Sequence, residues 1–134
     1  MDKSSSEIEG FFKLNQASNW NEFRLALSYF GGLQQNFAYA DKQGNIGLHP
    51  AASLPIRQLS GQRILPGQDG SADWLGLRRT LELPFSYNPA EGWLGSANNA
   101  FEEPGMGTVV GYFAPGERMR RMEQLLQGSG LLSP

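Results

Sequence analysis

Residues 19–49 constrain the fold more than any other stretch, because two different hydrophobic periods follow one another there. Asn19 is suited to accept a backbone N–H at a helix start, and Glu22, three residues on, can reach back as the other half of a capping box. Trp20, Phe23, Leu27 and Phe30 then recur at i, i+3, i+7 and i+10, an amphipathic face. The spacing predicts a helix from about residue 20 to 30, stopped by Gly31-Gly32. The period next changes to two. NFAYA (36–40) places Phe37 and Tyr39 on one face of a half-buried strand, residues 42–45 form a turn, and NIGLH (45–49) returns as the second strand of a hairpin.

The flanking segments read less sharply. EIEGFFKL (7–14) suits a helix with Ile8, Phe11, Phe12 and Leu14 on one side, weakened by Gly10. From 50 to 76 the chain reads as irregular, with Ile56, Leu65 and Trp74 as anchors. A turn at 88–92 precedes an expected strand over 93–97, and a loop runs through Pro104, Gly105 and Gly107. Pro115 and Glu117 open a last helix whose Met119, Met122, Leu125 and Leu126 make an apolar stripe, ended by Gly128 or Gly130. With 17 glycines and 8 prolines in 134 residues, the result is a loop-rich α+β chain of one-domain size.

Composition removes whole classes of chemistry. Eleven Lys and Arg against 13 Asp and Glu leave a formal charge of −2, so there is no basic excess to neutralise phosphates, and nucleic acid is not an expected partner. Without cysteine there is no disulfide, thiol nucleophile or zinc finger. A Ser-His-Asp triad would have to use His49, which precedes a proline at a strand end and reads as a surface or satisfied residue. No apolar run approaches the ~18–20 residues of a membrane span. The opening MDKSSSEIEG lacks the hydrophobic stretch of a signal peptide.

Candidate sites are few. Asp69, Asp73, Glu102 and Glu103 are loop carboxylates whose spacing fits no EF-hand, so they read as solvated. Gly105-Met106-Gly107 lacks the third glycine of a dinucleotide loop. Arg118, Arg120 and Arg121 form by default an exposed basic edge, and the methionines beside them fill core. Ser96-Ala97-Asn98-Asn99 admits two readings. A rigidly held Asn amide is a neutral donor for a developing oxyanion, but Asn-Asn also simply forms turns, and spacing alone favours the turn.

Taken in order, NQASNWNEFRLAL, QNFAYADKQGNIGLHPAASLPIR, the Pro-Gly-x-Asp-Gly stretch ending in Trp74, Tyr87-Asn88-Pro89, GWLGSANN and the Glu117-Arg118 helix resemble the β-subunit of penicillin amidases. These penicillin acylases are N-terminal-nucleophile hydrolases, and the resemblance runs over nearly the whole chain, 1–134, as a single segment. It implies part of a four-layer αββα sandwich and an amide hydrolase that removes an acyl group from an amine. The nucleophile in such enzymes is a serine exposed by autocatalytic cleavage, with its own α-amine as base. An α-amine titrates near ~8, so that chemistry needs no histidine. Asn98 falls on the family's oxyanion-hole asparagine, and Arg118 on its active-site arginine.

The resemblance supplies no nucleophile from this chain. Ser18-Asn19 looks like the start of some mature β-chains, yet it sits at the entry to the first predicted amphipathic helix. The expected partners are therefore the remainder of the β-chain, the α-chain and a small N-acyl substrate. No cofactor is required by this chemistry. A structural calcium occurs in longer relatives, with ligands that cannot be placed among these residues, and such precursors are commonly exported to the periplasm. The rival expectation is a non-catalytic, stand-alone binding or structural domain derived from the same fold.

Overall fold

A computed structural model describes residues 6–32, 34–59, 63–99 and 113–128. Its order is α1 (Glu7–Gln16), α2 (Trp20–Leu27), β1 (Gln35–Ala40), β2 (Ile46–Ala51), β3 (Leu54–Arg57), β4 (Trp74–Arg78), a 3-10 turn (Thr80–Glu82), β5 (Ser86–Tyr87) and α3 (Glu117–Gly128). The chain is α+β. β1, β2 and β5 form an antiparallel sheet with β2 in the middle, and β3 and β4 form a separate two-stranded ribbon.

Helix α2 begins where its cap requires. Asn19 Oδ1 accepts the Glu22 N–H at 3.0 Å, but the reciprocal half of the box lands one residue early. Glu22 Oε2 takes both the N–H and the hydroxyl of Ser18, each at 2.8 Å. The backbone bond from Ser18, followed by its side chain, lowers the Glu22 pKa. The helix stops at Leu27, short of the glycines. The next three residues tighten into i→i−3 bonds, Ser28 to Leu25, Tyr29 to Ala26 and Phe30 to Leu27, and the Ser28 hydroxyl adds a 2.7 Å bond to the Leu25 carbonyl. Phe30 still packs in the core through this tightened turn.

Trp20, Phe23, Leu27 and Phe30 all reach the core, as their spacing predicts. The sheet is shaped to receive them. Tyr39, Gly47 and Tyr87 stand in one row across β1, β2 and β5, and the Trp20 ring occupies the place over Gly47. It stacks on Tyr87 at 4.9 Å and meets Tyr39 edge-on at 5.3 Å. In the neighbouring row, Phe37 lies opposite His49, and Phe85 stacks on His49 at 5.5 Å. Such rings bring large buried area with defined geometry, which fixes helix against sheet.

Only part of the expected apolar side of helix α1 turns inward: Leu14 packs against the core and Phe11 meets the Phe30 ring edge-on at 4.9 Å. Ile8 is 75% exposed and Phe12 64% exposed, whereas Glu7 and Gly10 are buried. Gly10 lets the Phe30 ring lie directly on the helix; a Cβ there would sit 2.6 Å from Phe30 Cε2. Glu7 is buried because its Oε1 accepts the N–H groups of Gly31 (3.4 Å) and Gly32 (2.8 Å) just past the α2 turn.

The stretch from 50 to 76 is not wholly irregular, since it contributes β3 and the start of β4. Nor are its anchors buried: Ile56 is exposed, Leu65 half-buried, and Trp74 60% exposed with Arg57 5.5 Å above its ring. Thr80 ties this part to the core. Its hydroxyl is 2% exposed, accepts the Ala52 N–H at 3.1 Å, and lies 3.1 and 3.2 Å from the carbonyls of Phe30 and Ala52.

Candidate functional site

Residues 93–97 do not form the expected strand. Side chains take up the main-chain groups that a ladder would use. The Ala97 N–H donates to Asn99 Oδ1 at 3.1 Å, and the Ala97 carbonyl accepts from Arg118 Nη2 at 2.8 Å. The third strand of the sheet is instead β5, a few residues earlier. Two further ties hold the turn: the Ala114 N–H reaches the Asn98 carbonyl at 2.7 Å, and Asn36 Nδ2 on β1 donates to Ser96 Oγ at 2.7 Å.

Asn98 itself has φ +59°, in the left-handed region. Arg118 Nη2 also donates to Asn98 Oδ1 at 2.8 Å. The chemistry of the pair settles which way the amide points. A guanidinium has only donors, so the atom facing it must be the carbonyl oxygen, and the NH₂ is turned away. That NH₂ has no hydrogen-bond partner among the described residues, and Asn98 is exposed. The sequence placed Asn98 and Arg118 twenty residues apart; the structure brings them into direct contact.

The first turns of α3 carry the arginine. Met122 packs where α3 crosses the turn, and a Cβ on Gly95 would lie 2.6 Å from Met122 Cε. Met119, Met122 and Leu126 are half-buried, while Leu125 faces out. All three arginines are exposed as expected, but Arg120 pairs with Glu117 at 3.6 Å and Arg121 donates to Gln124 at 3.4 Å, whereas Arg118 turns its guanidinium to the Ala97–Asn98 turn.

The remaining candidates part company. Asp69 accepts the Ser71 hydroxyl and N–H in a local turn, which lowers its pKa, the hydroxyl contributing most. Asp73 is exposed. Glu102, Glu103, Gly105, Met106, Gly107 and Gly130 lie outside the described residues. No group of three or more His, Asp or Glu that could hold a metal ion occurs among the described residues. No described helix is long and apolar enough to cross a membrane.

His49 is not at the surface. Its exposure is 0%, and Nδ1 lies 2.7 Å from the Pro50 carbonyl, which can only accept, so Nδ1 carries the proton. Nε2 is then a bare lone pair with no partner among the described residues. Burial first, and the nearby Arg24 charge as well, push its pKa down, against the pull of the Pro50 bond. Arg24 lies 4.0 Å over the Phe85 ring that stacks on His49. This neutral imidazole is enclosed and far better suited to packing than to proton transfer with a substrate.

Sequence reading missed one polar cluster. Asp41 accepts from the Tyr39 hydroxyl, the Gln43 and Asn45 N–H groups and Asn45 Nδ2 at 2.8–3.0 Å. Asn88 joins it, donating to Asn45 Oδ1 and accepting the Ile46 N–H. The Asn45 side chain contributes most to lowering the Asp41 pKa, and burial, then Asp41, raise that of Tyr39 to about 12. The signal was available as Asp-x-x-x-Asn across the hairpin turn. Its saturated carboxylate makes it a staple between the turn and β5.

Comparison with known proteins gives a consistent answer. Residues 1–133 match the family described as Penicillin amidase. The acyl-homoserine lactone acylase QuiP of Pseudomonas aeruginosa is 30% identical over 131 residues, covering 95% of this chain and 15% of that protein. Penicillin G acylase of Escherichia coli is 30% identical over 115 residues, covering 84% of this chain and 14% of that one. Among solved structures, a thermostable penicillin G acylase from Alcaligenes faecalis superposes with a TM-score of 0.75 at 34% identity, over 96% of this chain and 23% of that one. The chain thus spans about 15% of the length of the curated relatives it matches.

Proposed function

Because this chain belongs to the penicillin amidase family, we propose that it is a single segment of an acylase β-chain and supplies the oxyanion-stabilising part of an amide-hydrolase site. In that enzyme its helices and sheet form part of a four-layer αββα sandwich. Its partners are the rest of the β-chain and the α-chain, and its substrate is a small N-acyl compound.

The observation that carries this reading is the Arg118–Asn98 pair. A serine oxygen attacking an acyl carbon pushes an electron pair onto the carbonyl oxygen, and that charge must be met by donors already in place. The 2.8 Å bond from Arg118 holds the Asn98 amide with its NH₂ turned away from the guanidinium and without a partner among the described residues. Asn98 is the residue that would touch the oxyanion, and Arg118 positions it while adding positive potential. The nucleophile, an N-terminal serine by the family resemblance, comes from outside this chain, as does the acyl pocket. We place the enzyme in the periplasm by the same resemblance.

The test is Asn98→Ala in the full-length acylase that carries this segment, assayed on a chromogenic phenylacetyl or fatty-acyl amide. Removing one oxyanion donor lowers kcat by ~10²–10³ with little change in KM. A kcat within about twofold of the parent would remove Asn98 from the reaction.

A further inference from the structure

Asn98 can serve as a fixed donor only if the turn bearing it is fixed. Two of its ties come from the C-terminal part of the chain, the Arg118 bonds to Ala97 O and Asn98 Oδ1 and the Ala114 N–H to Asn98 O. Both leave the turn unanchored to the sheet. The 2.7 Å bond from Asn36 Nδ2 to Ser96 Oγ joins them across 60 residues of sequence.

We propose that Asn36 is a positioning residue for Asn98, acting through Ser96; this rests on the oxyanion role given to Asn98 above. Asn36 is well placed for it. It stands in β1, held in register opposite Pro50, and alternates with Phe37 and Tyr39, so it points away from the face that packs on α2. Nothing in the aromatic core depends on its amide. Ser96 lies two residues before Asn98, and the tie fixes the chain just ahead of the left-handed residue. The turn is thereby held from β1 on one side and from α3 on the other. A donor must sit within a few tenths of an ångström of its oxyanion, and ~1 Å of drift can cost up to ~10²-fold in rate.

The experiment measures kcat and KM in the full-length acylase, on the same chromogenic amide, for Asn36→Leu, Asn36→Asp and Ser96→Ala, each alone and combined with Asn98→Ala. Asn36→Leu and Ser96→Ala each lower kcat by about tenfold, with KM within about twofold. Asn36→Asp recovers most of that loss, because the Ser96 hydroxyl can turn to donate to a carboxylate. In the Asn98→Ala background Asn36→Leu changes kcat by less than about twofold, since there is no amide left to aim. An equal loss in both backgrounds makes Asn36 merely structural and overturns the proposal, as does an unchanged kcat for Asn36→Leu where Asn98→Ala is slow. A full kcat in Asn98→Ala overturns the oxyanion reading itself, and the positioning role with it.

Discussion

Replacing Thr80 by valine separates hydrogen bonding from packing at one of the most enclosed polar contacts among the described residues. The Thr80 hydroxyl is 2% exposed and takes the Ala52 N–H while facing the Phe30 and Ala52 carbonyls. One hydroxyl has one proton and two lone pairs, so it satisfies the Ala52 donor and one carbonyl at a time. Valine has nearly the same volume and the same χ1 restriction, so no cavity opens. It strands the Ala52 N–H and a carbonyl, which costs about 1–3 kcal/mol. Serine keeps the hydroxyl and loses one methyl, costing about 0.5–1.5 kcal/mol. The expected order of stability is therefore Thr80, then serine, then valine, with valine about 4–12 °C below the parent in Tm. Thermal and urea unfolding give the order, and hydrogen exchange at the Ala52 amide reports the broken bond directly. Burial of apolar surface alone predicts a different order, valine first and serine last. A valine variant as stable as the serine one, with Ala52 exchange unchanged, would refute the hydrogen-bond account.

Three other outcomes follow from the structure. Gly47→Ala places a methyl 2.7 Å from Trp20 Cη2 and 2.9 Å from Cε3, against a ring wedged between two tyrosines; overpacking costs about 1–3 kcal/mol, and Trp20→Phe in the same chain relieves part of it, as a double-mutant cycle by urea melts would show. His49 has a folded pKa below its ordinary 6.5, so the unfolded chain binds the extra proton first and stability falls as pH drops through that value; His49→Gln flattens the Tm–pH curve there, and an unchanged slope would contradict it. On the oxyanion role proposed for Asn98, Arg118→Met in the full-length acylase frees the amide to rotate, and kcat drops by between about tenfold and the ~10²–10³ of losing the amide, with KM nearly constant. A rise in KM with kcat unchanged would deny Arg118 its positioning role.

The core was legible in the sequence because the period-3.6 run from Trp20 to Phe30 and the alternation through Phe37 and Tyr39 each state one face. β3 and β4 were not, since most of their large apolar residues stay exposed and pair across the intervening stretch 58–73, which no local pattern records. Helix α1 misled for a related reason. Its buried positions are a glycine and a glutamate, chosen by Phe30 and by the N–H groups after α2, both distant in sequence. His49 read as a surface or satisfied residue; its Nδ1 is satisfied by Pro50, but nothing local announces the Phe85 ring that covers it. Asn98 and Arg118 were reachable through family resemblance, while their mutual bond and the tie to Asn36 exist only once the sheet, the turn and α3 have met.

The left-handed backbone at Asn98 has a consequence for anyone randomising this position. A φ of +59° is readily adopted by glycine and tolerated by asparagine and aspartate, while other side chains, above all the β-branched ones, incur strain. Glycine has no donor to offer. Aspartate would turn one carboxylate oxygen to Arg118 and present the other, an acceptor, where the oxyanion role proposed for Asn98 asks for a donor. Backbone shape and chemistry, imposed independently, intersect at one amino acid of the twenty. A saturation library at 98 selected for acylase turnover should therefore return asparagine almost alone, whereas selection for folding should return glycine and aspartate beside it.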